Sequence, residues 1–415
     1  MFTIVRTIFI LAAVLSYFNG TVLADEYHYN NLLIGDRASG MGGAYTAISD
    51  DATGMFYNPA AIVYVGDKNV SASVNAYFSQ YKKYENIIGG KPFERTSSAL
   101  LANYFGIVKS VEGYKIGFSY AVPDATNEDQ NQTFTNVTAN TSRYTVNLNN
   151  RDHTYNFGPS FATEISSTLA IGITLYAHQR DVQHSSNYYV ERTTGTTQWS
   201  NQYFRLHETG IRPVLGLAWA VSEKTSMGFA LSKTFVLSSN ATNQLTCWDA
   251  VAQGCAKTDT TAPSILTPSL TTYDVKRTYP TKLAVGLAYF ASRSLLFSSD
   301  LTYHTAVSDP LYGNKIATIN ASLGTEYYLS KKWAIRAGLY TNRANTPDIQ
   351  AGVTSIEEKI DLYGASMSIS NFTGSTSVTL GGSISYGKGL SQITGDTSVQ
   401  TASTLGWLLF LSSSY

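Results

Sequence analysis

From residue 68 onward the chain alternates apolar with small or polar residues, the pattern that in a strand sends two sets of side chains to opposite faces. Tyr114, Ile116, Phe118, Tyr120 and Val122 share one face of residues 113–122, and Leu169, Ile171, Ile173 and Leu175 do the same further on. Fourteen such segments are predicted: about 68–81, 97–109, 113–122, 151–165, 168–181, 203–221, 226–238, 277–291, 295–307, 315–329, 333–343, 357–371, 375–388 and 402–415. Their connections alternate between short and long. Six are tight, at Ser110–Glu112, Ser166-Ser167, Ser222–Thr225, Ser292–Ser294, Ser330–Lys332 and Phe372–Gly374, and seven are longer, with 123–150, 182–202 and 239–276 rich in Asn, Thr and Ser.

An even strand count with short turns at one end and long connections at the other is the plan of an outer-membrane barrel whose two termini are periplasmic. A soluble β-sandwich also alternates, but has no need of that asymmetry. The fold expected is therefore all-β, a 14-stranded antiparallel transmembrane β-barrel over residues 68–415. Its last strand puts Leu405, Trp407, Leu409, Leu411 and Tyr415 on one face. A final aromatic residue resembles the signal read by the outer-membrane barrel assembly machinery, an expected partner. Tyr81, Tyr84, Trp219, Tyr327, Tyr328 and Trp333 fall near strand ends, where aromatic girdles meet the two interfaces.

Composition agrees with a surface that does not face water throughout. Only 14% of residues are charged, 43% are hydrophobic, and 29 basic residues balance 29 acidic ones. Such a balance gives no electrostatic reason to expect nucleic acid as a partner. Aromatic content of 13% argues against disorder. The partners expected are outer-membrane lipid and a hydrophobic small-molecule substrate, with the protein a monomer.

Residues 1–24 have the layout of a secretory signal: Arg6, the apolar run Ile8–Phe18, then Val22-Leu23-Ala24 before Asp25. Eleven apolar residues are too few to cross a bilayer as a helix, which takes ~20. Residues 25–67 then break the alternation. They carry Gly40, Gly42 and Gly43, a stretch Ala44–Ile48 able to form a helical turn, the acidic pair Asp50-Asp51 placed to cap Ala52–Phe56, and Asn58-Pro59-Ala60, which ends any helix. The glycines do not make a dinucleotide loop, since no strand precedes them and the third spacing is wrong. A fourteen-stranded barrel is too wide to be filled by its own side chains, so this compact segment is expected to plug the bore.

The run from Gly40 to Ala60 resembles the N-terminal hatch of the FadL/TodX family of outer-membrane transporters for long-chain fatty acids and aromatic hydrocarbons. The resemblance is specific over about residues 35–65 and implies a hatch, with Asn58, Pro59 and Ala60 part of it, inside a barrel of a diderm bacterium's outer membrane. It implies passive uptake of hydrophobic compounds, and a lateral opening made by a kinked strand. Prolines interrupt two predicted strands, at Gly158-Pro159 and Arg212-Pro213, and Gly158 with Pro159 is the candidate kink. A structural bulge without a passage is the alternative reading.

Cys247 and Cys255 share the long connection 239–276 and are expected to form a stabilising disulfide in an oxidising compartment. The six histidines have no metal-ligand spacing, and no G-x-S-x-G elbow or Ser, His and acidic cluster occurs. No catalytic residues, metal or cofactor are expected. Two other roles stay open at this point: a general porin, against which the 43-residue plug argues, and a FadL-like barrel serving as scaffold for a secretion or surface machine.

Overall fold

The computed structural model describes residues 26–66, 68–255, 260–353, 358–374, 376–393 and 397–414. The predicted signal 1–24 and the terminal Tyr415 lie outside the described residues. The barrel strands are β1 Lys68–Ile88, β2 Lys91–Val111, β3 Tyr114–Thr138, β4 Thr141–Ser166, β5 Leu169–Arg192 and β6 Thr197–Ser222. They continue as β7 in two pieces, Thr225–Ser232 and Phe235–Asp249, and β8 in two, Ser264–Tyr273 and Lys282–Phe290. The remainder are β9 Leu295–His304, β10 Thr318–Ser330, β11 Trp333–Asn342, β12 Glu358–Lys359 with Leu362–Thr373, β13 Thr376–Ser391 and β14 Gln400–Ser414. Each pairs antiparallel with its sequence neighbours, and β14 returns to β1, from Ser71↔Ser414 to Tyr84↔Ala402. The result is a closed barrel of fourteen strands.

The expected short turns are present, but much of the expected long connections is not loop. Residues 123–138, 141–150 and 182–192 prolong β3, β4 and β5. The reason is an inversion of polarity along each strand. Near the short turns β4 points Phe157 and Phe161 outward and buries Asn156, Ser160 and Ala162. Further along the same strand Tyr144, Val146 and Leu148 point inward and are buried, while Arg143, Asn147 and Asn149 face out. A reader tracking outward apolar residues loses the strand at the crossing, although the pleat continues. Tyr84 belongs to this inner upper region: it is fully buried and donates to Glu358 Oε2 at 2.6 Å, so it is not part of an interface girdle. Trp219, Tyr327 and Trp333, by contrast, are exposed on the outside near the short turns.

The two sides of the barrel differ in height. Strands β3–β6 have 25, 26, 24 and 26 residues, whereas β9–β12 have 10, 13, 10 and 12 in their main pieces. A tilted strand needs about 9–11 residues to cross a bilayer. The strands of the tall side are therefore more than twice the length that a bilayer crossing requires.

The wall is incompletely paired at two joints among the described residues: between β7 and β8 the ladder lapses from Ser232↔Lys282 to Ala241↔Tyr273, with a lone Phe235↔Thr278 bridge between, and at β2–β3 it stops early. Strands β2 and β3 pair only from Val111↔Tyr114 to Tyr104↔Ala121. At that point β3 bulges between Ala121 and Asp124, around Val122-Pro123. Pro123 supplies no N–H to a ladder. Above the bulge, side chains stand in for missing rungs: Gln130 Oε1 accepts the Thr96 N–H at 3.0 Å, Gln132 Oε1 the Glu94 N–H at 3.1 Å, and Ser97 Oγ the Asn127 N–H at 3.1 Å.

Candidate functional site

Residues 26–66 occupy the bore: Glu26, Tyr27 and His28 reach its upper half, against Arg180, Lys82 and Ile360, and residues 34–66 fill the short-turn half. They hold two brief helices, α1 Asp36–Gly40 and α2 Gly54–Tyr57, and a 3-10 helix Pro59–Tyr64. Gly42 and Gly43 take left-handed φ values of 65° and 82°, which turn the chain after α1 where a Cβ would be strained. Ala44–Ile48 forms a single turn, closed by the Ile48 N–H on Tyr45 O at 3.1 Å. The acidic pair does not cap Ala52–Phe56, because α2 begins only at Gly54. Asp51 Oδ1 instead accepts the Thr53 N–H at 2.8 Å and the Thr53 hydroxyl, and Asp50 pairs with Arg37. Burial, with Asp36 close by, pushes the Asp51 carboxyl above its ordinary range.

Asn58 is the joint between plug and wall. Its Oδ1 accepts the Ala60 N–H at 3.2 Å, while its Nδ2 donates to Thr46 O at 2.9 Å and to Leu217 O of β6 at 3.0 Å. Pro59 starts the 3-10 helix, where its missing N–H costs nothing. Charged residues of the wall hold the rest. Asp300 Oδ2 accepts the N–H groups of Tyr45 and Thr46 at 3.0 and 2.8 Å, and Glu326 takes Arg37 Nη2 at 2.7 Å and Arg336 Nε at 2.7 Å.

Wall glycines let the plug backbone come this close. A Cβ on Gly172 would lie 2.5 Å from the Pro59 carbonyl carbon, one on Gly286 2.7 Å from Ala47 N, and one on Gly324 2.7 Å from Met41 O. Gly216, Gly228 and Gly338 meet plug backbone in the same way and Gly106 and Gly117 make room for the Met55 side chain, so eight strands each offer one glycine to the plug. The signal was present in the sequence as a glycine between larger residues near each short turn, such as Leu215-Gly216-Leu217 and Val285-Gly286-Leu287. It passes unnoticed when glycine counts merely as small.

Above the plug lies a cavity of about 230 Å³. Phe56 and Tyr57 of the plug form part of its floor, and inward side chains of β5–β9 its wall. The charge on that wall is unevenly paired. Arg180 is satisfied by Asp152 and Glu26, and Arg277 by Glu26 Oε2 at 2.6 Å. Arg212 has no carboxylate partner among the described residues; its guanidinium lies 4.7 Å from the Phe56 ring centre, and its buried Nη1 has no hydrogen-bond acceptor. Lys282 likewise lines the cavity without an ion pair among the described residues. His304 stacks on Tyr29, ring centres 4.5 Å apart, with Nδ1 unpartnered. A short hairpin, Val307–Asp309 with Gly313–Lys315, folds over the opening and sets Tyr312 4.1 Å from the Arg277 guanidinium. The sequence reading missed these cations, although an inward Arg or Lys in a strand whose outward residues are apolar is the signal for them.

The plug also patches the β2–β3 joint. The Leu32 N–H donates to Pro123 O at 3.2 Å, and Asn103 Nδ2 donates to Leu33 O at 3.0 Å. Leu32 is buried with Val122 and Ala125, against Phe78, Leu101, Tyr120 and Tyr155.

Comparison with solved structures finds this fold elsewhere. A Pseudomonas aeruginosa FadL homologue superposes with a TM-score of 0.68 at 13% identity, over 94% of this chain and 99% of that one. The Pseudomonas putida toluene transporter TodX gives 0.62 at 16% identity over 94% and 98%, and the Ralstonia pickettii toluene transporter TbuX 0.56 at 15% over 92% and 98%. The chain has the FadL-type fold. No protein-family model matches its sequence, and no curated protein does. Within the FadL-type barrel Pro159 pairs with Phe118 of β3, and the β4–β5 ladder skips Gly158 and Pro159 without a change of register. The two strands stay close there, for a Cβ on Gly158 would collide with Leu175 O. Cys247 and Cys255 are joined by a disulfide, Cα atoms 5.6 Å apart, where β7 ends.

Proposed function

We propose that the protein sits in the outer membrane of a diderm bacterium and takes up hydrophobic compounds passively, through a cavity above a fixed plug. The observation that carries this reading is the pairing of a plugged bore with an internal cavity and incompletely paired joints in the wall, β2–β3 among them. A polar porin needs an open bore, and the plug denies it one. The solved structures that share the fold include toluene transporters, which supports a hydrophobic cargo.

The cavity itself favours one class of cargo. A guanidinium held in the bore without a counterion is costly unless something anionic shares the space. Arg212 and Lys282 would take the head of an acid such as a long-chain carboxylate, and the apolar tail would lie along Phe56 and Tyr57. The lateral way out would be the β2–β3 joint at Pro123 rather than Gly158-Pro159, where the strands remain tight. Uptake of labelled long-chain acid and of the matching neutral alcohol, by cells carrying Arg212→Met, tests the reading. Acid uptake is expected to fall about tenfold or more, the worth of one charged hydrogen bond, with alcohol uptake unchanged. Equal loss of both would remove the acid site, and no uptake of either by the unaltered protein would remove the transport function.

A further inference from the structure

We infer that the outward face of β3–β6 beyond the bilayer is a binding surface for the oligosaccharide of the outer-leaflet glycolipid. The inference rests on the outer-membrane reading above but not on the identity of the cargo.

The lipid-facing part of these strands reaches up to Phe157, Leu175 and Ile211, all exposed. Each strand then runs on for many residues with the same outward phase and a different chemistry. Asn131 of β3 pairs across to Asn147, Asn147 to Asn187, and Asn187 to Asn201 of β6, so four asparagines form one row across four strands. Asparagine is a poor strand former, and nothing in the sheet requires it at four neighbouring positions. None of the four side-chain amides hydrogen-bonds to another protein group among the described residues. Each therefore offers a donor beside an acceptor, the pair that matches adjacent hydroxyls of a sugar.

Nearer the lipid, Arg151 and Arg205 lie on a common row either side of Gln183, exposed and without a carboxylate partner among the described residues. They suit the acidic groups of such a saccharide. Tyr203, one row further out than Arg205, adds a ring face for sugar C–H groups. A protein partner would ask for an apolar centre; here the centre is the polar row, and the apolar side chains Tyr189 and Trp199 stand at its outer edge beyond Asn201.

Position supplies the remaining argument. On β4, β5 and β6 the face continues the lipid contact with no shift of register, so what covers it is whatever stands on the outer side of that lipid. A saccharide covalently tied to the lipid arrives already concentrated at the surface, and weak individual contacts then suffice.

The test uses the full-length protein in detergent, with three probes: lipid A alone, lipid A carrying its core oligosaccharide, and the detached oligosaccharide. Native mass spectrometry compares the protein with the variant Asn147→Ala/Asn187→Ala/Asn201→Ala/Arg205→Ala, whose folding is checked by heat-modifiable gel mobility. The sugar-bearing lipid is expected to bind about tenfold more tightly than lipid A, with that advantage lost in the variant and lipid A binding kept. Equal binding of the two lipids by the unaltered protein, or an advantage that survives in the variant, would overturn the inference. Uptake of hydrophobic acid by the variant should be unchanged, and Arg212→Met should keep its sugar binding, so the two proposals fail separately.

Discussion

Asn58 carries three hydrogen bonds that no other residue type could make together: one within its own turn, one to the far half of the plug and one to the wall. Asn58→Ala leaves the buried carbonyls of Thr46 and Leu217 without their donor, a cost of about 1–3 kcal/mol. Hydrogen exchange over residues 44–62 is expected to speed up about tenfold or more, while the barrel strands keep their protection. At this scale the sequence is readable where a residue type has a local job. Asn-Pro at 58–59 says that a helix stops and another begins, and Gly42-Gly43 says that the chain turns. Arg212 and Leu32 are not readable in that way, since their importance comes from strands distant in sequence.

Among the elements, the plug shows how far local rules reach. Asp50-Asp51 looks like a helix cap, but α2 starts three residues later, and the carboxylates go to Arg37 and Thr53. Asp51 becomes a buried acid whose folded form holds its proton more tightly than the unfolded chain does. Its contribution to stability is complete below the usual carboxylate range and is lost as pH rises through the raised value. Asp51→Asn is expected to remove that dependence: plug protection followed by hydrogen exchange between pH 4 and pH 7 should decline in the parent protein and stay level in the variant. The strands teach the complementary lesson. Their number and order follow from alternation and turn spacing, yet the upper halves of β3–β5 hide behind a reversal in which face is apolar. The phase of the pleat persists through Arg151 and Asp152, and only the chemistry of the two faces changes.

For the molecule as a whole, the height difference, the plug and the β2–β3 joint work together. If cargo leaves sideways at this joint, Leu32 stands in the way, packed among Val122, Ala125, Leu101 and Tyr120. Leu32→Ala is expected to raise uptake of a long-chain acid severalfold with little change in ion conductance across planar bilayers, because the plug's hold on the wall through Asn58, Asp300 and Glu326 is untouched. Unchanged uptake would move the exit elsewhere, and a large rise in conductance would show that the bore had opened instead. Barrel class and plug were legible from pattern alone. The joint was not, because Pro123 sits where the outward apolar pattern of β3 already fades.

The eight glycines that receive the plug also bear on manufacture. Their bare peptide groups offer the bore a mould that fits one occupant, and that occupant is made first, ahead of every stave. The cylinder would then close around a guest already at hand rather than wait to be filled.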